Sequence, residues 1–127
     1  VTKRRVAERE RLPDVRPSIT HKFKIQSDQG AHSCYLTVGF FDKGQKRPGE
    51  VFIRMGKQGS TLNGLLDTVG ILISYGLQYG VSLADLCGKL KGMRFEPAGA
   101  TSDSGIPKCT SIIDYVFAWL ERNYVDV

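Results

Sequence analysis

One stretch, Gly59 to Gly80, limits what this chain can fold into more than any other. Leu62, Leu65, Leu66, Val69, Ile73 and Leu77 recur at intervals of three and four, the spacing that lays an apolar stripe along a helix. Ser60 or Thr61 is suited to cap its start by accepting a backbone N–H bond, and Gly80 to close its end in the left-handed conformation. Gly64, Gly70 and Gly76 each cost about 1 kcal/mol against alanine inside a helix, so they suggest faces where another backbone comes close. A helix of this length must be buried along one side, and the rest of the chain has to supply the surface that buries it.

The segments before it read as strands. Ile19, His21, Phe23 and Ile25 alternate with Thr20, Lys22 and Lys24, which predicts a strand with one wet face and places His21 on the apolar side as a packed, hydrogen-bonded residue. Gln26 to Gly30 supplies turn chemistry, Cys34 to Phe41 alternates again, and Val51 to Met55 follows the polar hinge Asp42 to Glu50. Three such strands form an antiparallel meander with one bare apolar face, and the helix from Ser60 is the nearest element able to cover it. Beyond it, Ser82 to Gly92 reads as a short helix with a capping start. Met93 to Gly99 reads as an extended segment entering a loop. Pro107 is suited to the first turn of a last, amphipathic helix carrying Cys109, Ile112, Ile113, Val116, Phe117 and Leu120. The expected fold is α+β: a three-stranded antiparallel meander on one long central helix, with a short helix and a C-terminal amphipathic helix. Residues 1–18, charged and containing Pro13 and Pro17, read as a tether; residues 19–127 read as one domain.

At 127 residues and 41% hydrophobic, the chain suits one domain with a real core. No run approaches the roughly 20 apolar residues of a membrane span, and no signal-type stretch opens it, so a cytoplasmic protein is expected. The net charge of +5 is confined to the start: residues 1–24 hold eight Lys or Arg and three Asp or Glu, and the remaining residues hold ten of each. Nucleic acid could follow that basic arm, but the folded part carries no net charge. Cys34, Cys87 and Cys109 form no C-x-x-C pair and each sits in an apolar pattern, so buried free thiols are expected. With His21 and His32 lacking partners at ligand spacing, no metal is expected.

Groups that could carry chemistry are few. Met55-Gly56-Lys57-Gln58-Gly59-Ser60-Thr61 leads from strand to helix, where free N–H groups, Lys57 and two hydroxyls could hold a phosphate or carboxylate. The spacing does not match a G-x-x-x-x-G-K-[ST] loop. Arg94 and Glu96 point the same way from an extended segment and read as an ion pair. Nothing like G-x-S-x-G arranges the serines and histidines for hydrolysis, and no autonomous catalytic constellation is visible.

The run Arg11-Leu12-Pro13-Asp14-Val15-Arg16-Pro17-Ser18-Ile19-Thr20-His21-Lys22-Phe23 resembles the opening of the C-terminal region of adenosylcobalamin-dependent (class II) ribonucleotide reductases. Tyr35-Leu36-Thr37-Val38-Gly39, Pro48-Gly49-Glu50-Val51-Phe52-Ile53, Lys57-Gln58-Gly59-Ser60-Thr61, Leu77-Gln78-Tyr79-Gly80-Val81, Arg94-Phe95-Glu96-Pro97 and Ser111-Ile112-Ile113-Asp114-Tyr115-Val116-Phe117 resemble further blocks in the same order. That region is the TSCPD domain, which follows the catalytic barrel. The chain departs from the family pattern at Gly30 to Tyr35, where a Gly-His-Glu-Gly-like turn is usual, and in an enlarged Lys43 to Arg47 loop. No cysteine pair corresponding to the family's redox-active tail is present.

The resemblance implies an accessory domain rather than an enzyme in its own right. Adenosylcobalamin and ribonucleotide reduction belong to the barrel of the full-length enzymes, and this chain itself would carry no cofactor. The expected partner is the class II catalytic domain, with a nucleotide as a further ligand at Lys57, Gly59, Ser60, Thr61, Arg16, Lys22 and Arg94. The alternative is a free-standing module, from a phage for example, that binds a nucleotide, a nucleotide signal or nucleic acid. A third reading is a homo-oligomer paired through apolar faces near Tyr75 or Trp119.

Overall fold

Alternating residues become long strands and the three-four repeats become helices. The computed structural model describes residues 7–125, and its element order is β1 (Ser18–Ser27), β2 (Gly30–Phe40), β3 (Pro48–Met55), α1 (Ser60–Gln78), α2 (Leu83–Leu90), β4 (Gly99–Thr101), β5 (Lys108–Cys109) and α3 (Ile112–Tyr124). The first six residues, which include Lys3, Arg4 and Arg5 of the basic arm, lie outside the described part. The class is α+β as expected, but the sheet has five antiparallel strands in the order β3-β2-β1-β4-β5 rather than three. β4 and β5 are three and two residues long, too short to show alternation. Backbone geometry places them: Gly99 has a φ of +150°, and a Cβ there would lie 2.0 Å from the carbonyl oxygen of Gln26.

The inner sheet face carries Phe23, Ile25, Cys34, Leu36, Val38, Phe40, Val51, Ile53 and Met55, all buried. α3, rather than α1, lies over β1 within it. Tyr115 stacks on Phe23 with centroids 4.0 Å apart, Trp119 stacks on His21 at 4.9 Å, and Tyr124 meets Phe40 edge-on. Trp119 is therefore a core residue and not an exposed pairing surface. The final helix starts later than its pattern suggested. Thr101 donates its N–H to the carbonyl of Pro107, which holds Pro107 in the β4–β5 hairpin, and Ser111 caps α3 by accepting from the N–H of Asp114. α2 begins as expected, with the Ser82 hydroxyl accepting from Asp85 N–H.

α1 lies along the open edge of β3 and lends only Leu66, Ile73 and Leu77 fully to the core. Asn63 donates to the carbonyl of Met55 and accepts from its N–H. Ser74 Oγ accepts from Val51 N–H at 2.9 Å and lies 3.2 Å from the Val51 carbonyl, and Gln78 donates to Gly49 O. Gly70 fits where the two backbones are closest: a Cβ there would stand 2.9 Å from Val51 O. Gly64 faces open space and Gly76 meets only the side chain of Val81, so of the three helical glycines one serves a close backbone approach. The cap also differs from expectation, since Gly59 occupies the N-cap position and no side chain caps the helix. Leu65, assigned to the buried stripe by its spacing, is 60% exposed.

The residues leading into β1 lie on the domain. Glu10 N–H bonds Gln78 O, Arg9 donates to Gln78 Oε1 and lies 4.5 Å over the Tyr75 ring, and Phe40 N–H bonds Pro17 O.

Two glycines of one helix should respond oppositely to the same change. Gly70→Ala should lower stability by about 1–3 kcal/mol through overpacking against Val51, whereas Gly64→Ala should raise it by up to about 1 kcal/mol. Ser74→Ala, which strips a buried N–H of its acceptor, should cost about 1–3 kcal/mol. Urea denaturation of the three variants checks the ordering.

Candidate functional site

Of the residues expected to form an anion site, four fall within the five-residue stretch Lys57 to Thr61. Gly59 is extended (φ −68°, ψ 171°) and leaves the first N–H groups of α1 without a side-chain cap; Ser60 and Thr61 open the helix and are exposed. Lys57 stands in the preceding turn with a φ of +59° and is exposed. No acidic residue lies in the first turn of α1. The other three lie apart from these. Arg16 is engaged at the opposite end of β3, where Nε and Nη2 bond Glu50 at 2.6 and 3.0 Å. Five residue steps along the strand, roughly 16 Å, separate Glu50 from Met55. Lys22 projects from the outer sheet face, 5.8 Å over the Tyr35 ring. Arg94 borders a cleft with Phe95, Glu96, Ala98, Cys109 and Thr110, and among the described residues it forms no ion pair with Glu96.

A polar cluster that sequence reasoning did not assemble sits between β1, α3 and the β4–β5 turn. The spacing of α3 puts Tyr115, Trp119 and Arg122 on neighbouring turns of one side. The Tyr115 hydroxyl donates to Asp103 Oδ2 at 2.9 Å and lies 2.9 Å from His21 Nε2, so His21 donates to it. Arg122 bonds both carboxylate oxygens of Asp103, at 3.2 and 2.9 Å, and Gly105 N–H reaches Oδ1. Bonding by Arg122 first, with help from Gly105 and Tyr115, holds the Asp103 carboxyl down at about 2. Burial pushes the Tyr115 phenol up, as does its bond to Asp103, and burial pushes the His21 imidazole down. With its hydroxyl committed on both sides, Tyr115 is a strut joining three elements. The available signal was partial: Tyr115 and Arg122 are seven apart on a helix, but nothing in the sequence pairs them with Asp103.

The thiols are equally withdrawn. Cys34, Cys87 and Cys109 are free and buried, and burial raises the first two to about 12 and about 11. A thiol in that range is protonated at neutral pH and a poor nucleophile.

A concavity of about 510 Å³ lies between residues 7–10, the Lys46–Pro48 segment and the end of α1, and Arg47 is bonded there to Glu10. No described helix is long and apolar enough to cross a membrane. No described cluster of three His, Cys, Asp or Glu side chains is placed to hold a metal.

Together these features define a small α+β domain: an antiparallel sheet braced by helices, with protonated thiols and an internally bonded polar cluster. The chain belongs to the TSCPD domain family, whose profile matches residues 5–124. It is 47% identical over 112 residues to the vitamin B12-dependent ribonucleotide reductase of Rhodopirellula baltica, covering 88% of this chain and 10% of that protein. The reductase of the same name from Streptomyces coelicolor is 44% identical over 118 residues, 92% of this chain and 12% of its own length. That of Bradyrhizobium diazoefficiens is 41% identical over 119 residues, 93% of this chain and 9% of its length. The chain thus spans 9% to 12% of these three relatives. No solved structure matches it.

The two imidazoles, His21 and His32, are each bonded through Nε2 to a neighbouring hydroxyl, of Tyr115 and Ser27 respectively.

Acid titration should expose the strut. Asp103 titrates near 2 when folded and near 3.9 when unfolded, so its contribution is complete above about pH 4 and is lost as pH falls toward 2. Asp103→Asn should lower stability at pH 7 and flatten the stability curve between pH 4 and 2, read by chemical denaturation across that range.

Proposed function

We propose that this chain is an accessory domain of a vitamin B12-dependent ribonucleotide reductase, contributing to deoxyribonucleotide synthesis in the cytoplasm by docking on the catalytic region. It reduces no ribonucleotide alone, and adenosylcobalamin acts in the catalytic region of the related enzymes. The observation that carries the docking surface is the outer side of α1. Leu65 and Leu72 are 60% and 66% exposed, with Ile71 and Tyr75 beside them, on the one long helix whose opposite side is committed to the β3 edge. Leu65, Thr68, Leu72, Tyr75 and Tyr79 follow a three-four spacing, so these side chains share one stripe. A contiguous apolar patch of that kind is what a protein partner covers.

The same reading gives the Lys57–Thr61 turn to a nucleotide. Its phosphate would meet the uncapped N–H groups that follow Gly59, with Lys57 supplying charge. Pairing of two copies through the α1 stripe is the competing use of this surface.

The Streptomyces coelicolor reductase lacking its matching 118 residues is the partner to test. This chain should bind it, and Leu72→Glu should weaken binding at least tenfold with an unchanged melting temperature. No association at about 10⁻⁴ M, the weak end of specific contacts, sinks the docking reading. Light scattering of the chain alone reads out self-pairing. Thermal shift with ATP and dATP tests the turn: stabilisation that Lys57→Glu abolishes supports it, and no shift with either removes it.

A further inference from the structure

The meander has a second face that no described element covers. Its outward residues fall into two registered rows, Thr20–Thr37–Phe52 and Lys22–Tyr35–Arg54, one residue from each of β1, β2 and β3, with Lys24 beside Ser33 in the next row. Alternation with the buried inner positions fixes this direction for each side chain. Phe52 is 40% exposed although it sits in the middle of a strand, and Tyr35 is partly open. The two rings are diagonal neighbours, about 7–8 Å apart by strand geometry. A shallow cavity of about 440 Å³ lies over them, lined by Tyr35, Thr37, Phe52, Ile53, Arg54 and Asp67.

The charge on this face has one dominant sign. Lys22, Lys24 and Arg54 project from it and are exposed. Of the nearby carboxylates, Glu50 is bonded twice to Arg16, and Asp67 stands 3.8 Å from Arg54 at the margin with α1. An apolar protein partner would leave Lys22 and Lys24 desolvated and unpaired and would bury the Arg54–Asp67 pair, and a simple polyanion would leave the rings without a partner. A chain that alternates planar rings with phosphates satisfies both.

We propose that the outward face of β1, β2 and β3 binds single-stranded nucleic acid, with bases stacked on Phe52 and Tyr35 and phosphates held by Lys22, Lys24 and Arg54. Stacking on aromatic side chains is tolerant of sequence, because every base has a π face. None of these five residues belongs to the Lys57 turn or to the outer side of α1, so the proposal stands independently of the docking reading.

Fluorescence anisotropy of labelled fifteen-base oligo-dT with the whole chain is the test. Binding is expected between about 10⁻⁴ and 10⁻⁶ M near physiological salt. Phe52→Ala should weaken it roughly tenfold. Lys22→Glu or Arg54→Glu should weaken it and lower the salt slope by about 0.7 for each cation lost. Thermal melts confirm that the variants, all at exposed positions, remain folded. Replacing Lys3, Arg4 and Arg5 by serine should leave the Phe52 effect intact, and Leu72→Glu should leave binding unchanged. The proposal is overturned by any of three results: no binding at about 10⁻⁴ M; equal affinity for duplex DNA with no response to Phe52→Ala, which would mark generic charge attraction; or competition by ATP as effective per molecule as the oligonucleotide, which would make the ligand a mononucleotide.

Discussion

The hydrogen bonds between α1 and the free edge of β3 are the constraint on which the architecture rests. An edge strand offers unpaired N–H and C=O groups, and burying them without partners costs more than most single contacts return. Here helical side chains take the place of a sixth strand. Asn63, Ser74 and Gln78 lie on one side of α1 and meet Met55, Val51 and Gly49 in descending order along the strand. Gly70 lets the two backbones approach closely enough for those short side chains to reach. One helix therefore ends the sheet, helps fill the core with Leu66, Ile73 and Leu77, and is left with a third side turned to solvent.

That division of α1 explains why α3 is so aromatic. With the long helix occupied at the edge, the inner face of β1 is left for Tyr115 and Trp119, whose rings span the gap between helix and sheet. A buried tyrosine brings a hydroxyl that must be satisfied, and the β4–β5 turn supplies Asp103 for it. The small strands thus serve the core as well as the sheet, since they carry the carboxylate to its partners. The consequence is a domain whose described polar interior is self-contained and in which two surfaces left uncovered by the described residues differ in character. The outer side of α1 is apolar, and the outer sheet face combines aromatic rings with positive charge.

Much of this was legible residue by residue. Alternation identified the first three strands and correctly put His21 on the inner face, because a half-buried strand must separate apolar from polar side chains at every second position. The apolar patterning of Cys34, Cys87 and Cys109 anticipated their burial. β4 and β5 were not legible, since two or three residues carry no period. The candidate anion residues show the same division. Lys57, Gly59, Ser60 and Thr61 are neighbours because they fall within one five-residue stretch, while Arg16 was drawn to Glu50 by a contact 34 residues away that no local pattern encodes. Arg94 and Glu96 share a direction in an extended chain but do not meet across it.

The sequence by itself determined the three long strands and the three helices and which side of each long strand is apolar, because those follow from periods of 2 and 3.6 in the chain's own geometry. Family membership was equally visible in ordered blocks of residues. Only the tertiary structure decided which helix covers the sheet and which closes its edge. An apolar stripe specifies burial without naming the surface that provides it, and Leu65 is exposed on a stripe that otherwise points inward. The partners of Asn63, Ser74, Gln78 and Asp103 were settled in the same way: a short polar side chain states that a bond is available, and only the packed fold brings a distant backbone or carboxylate within about 3 Å of it.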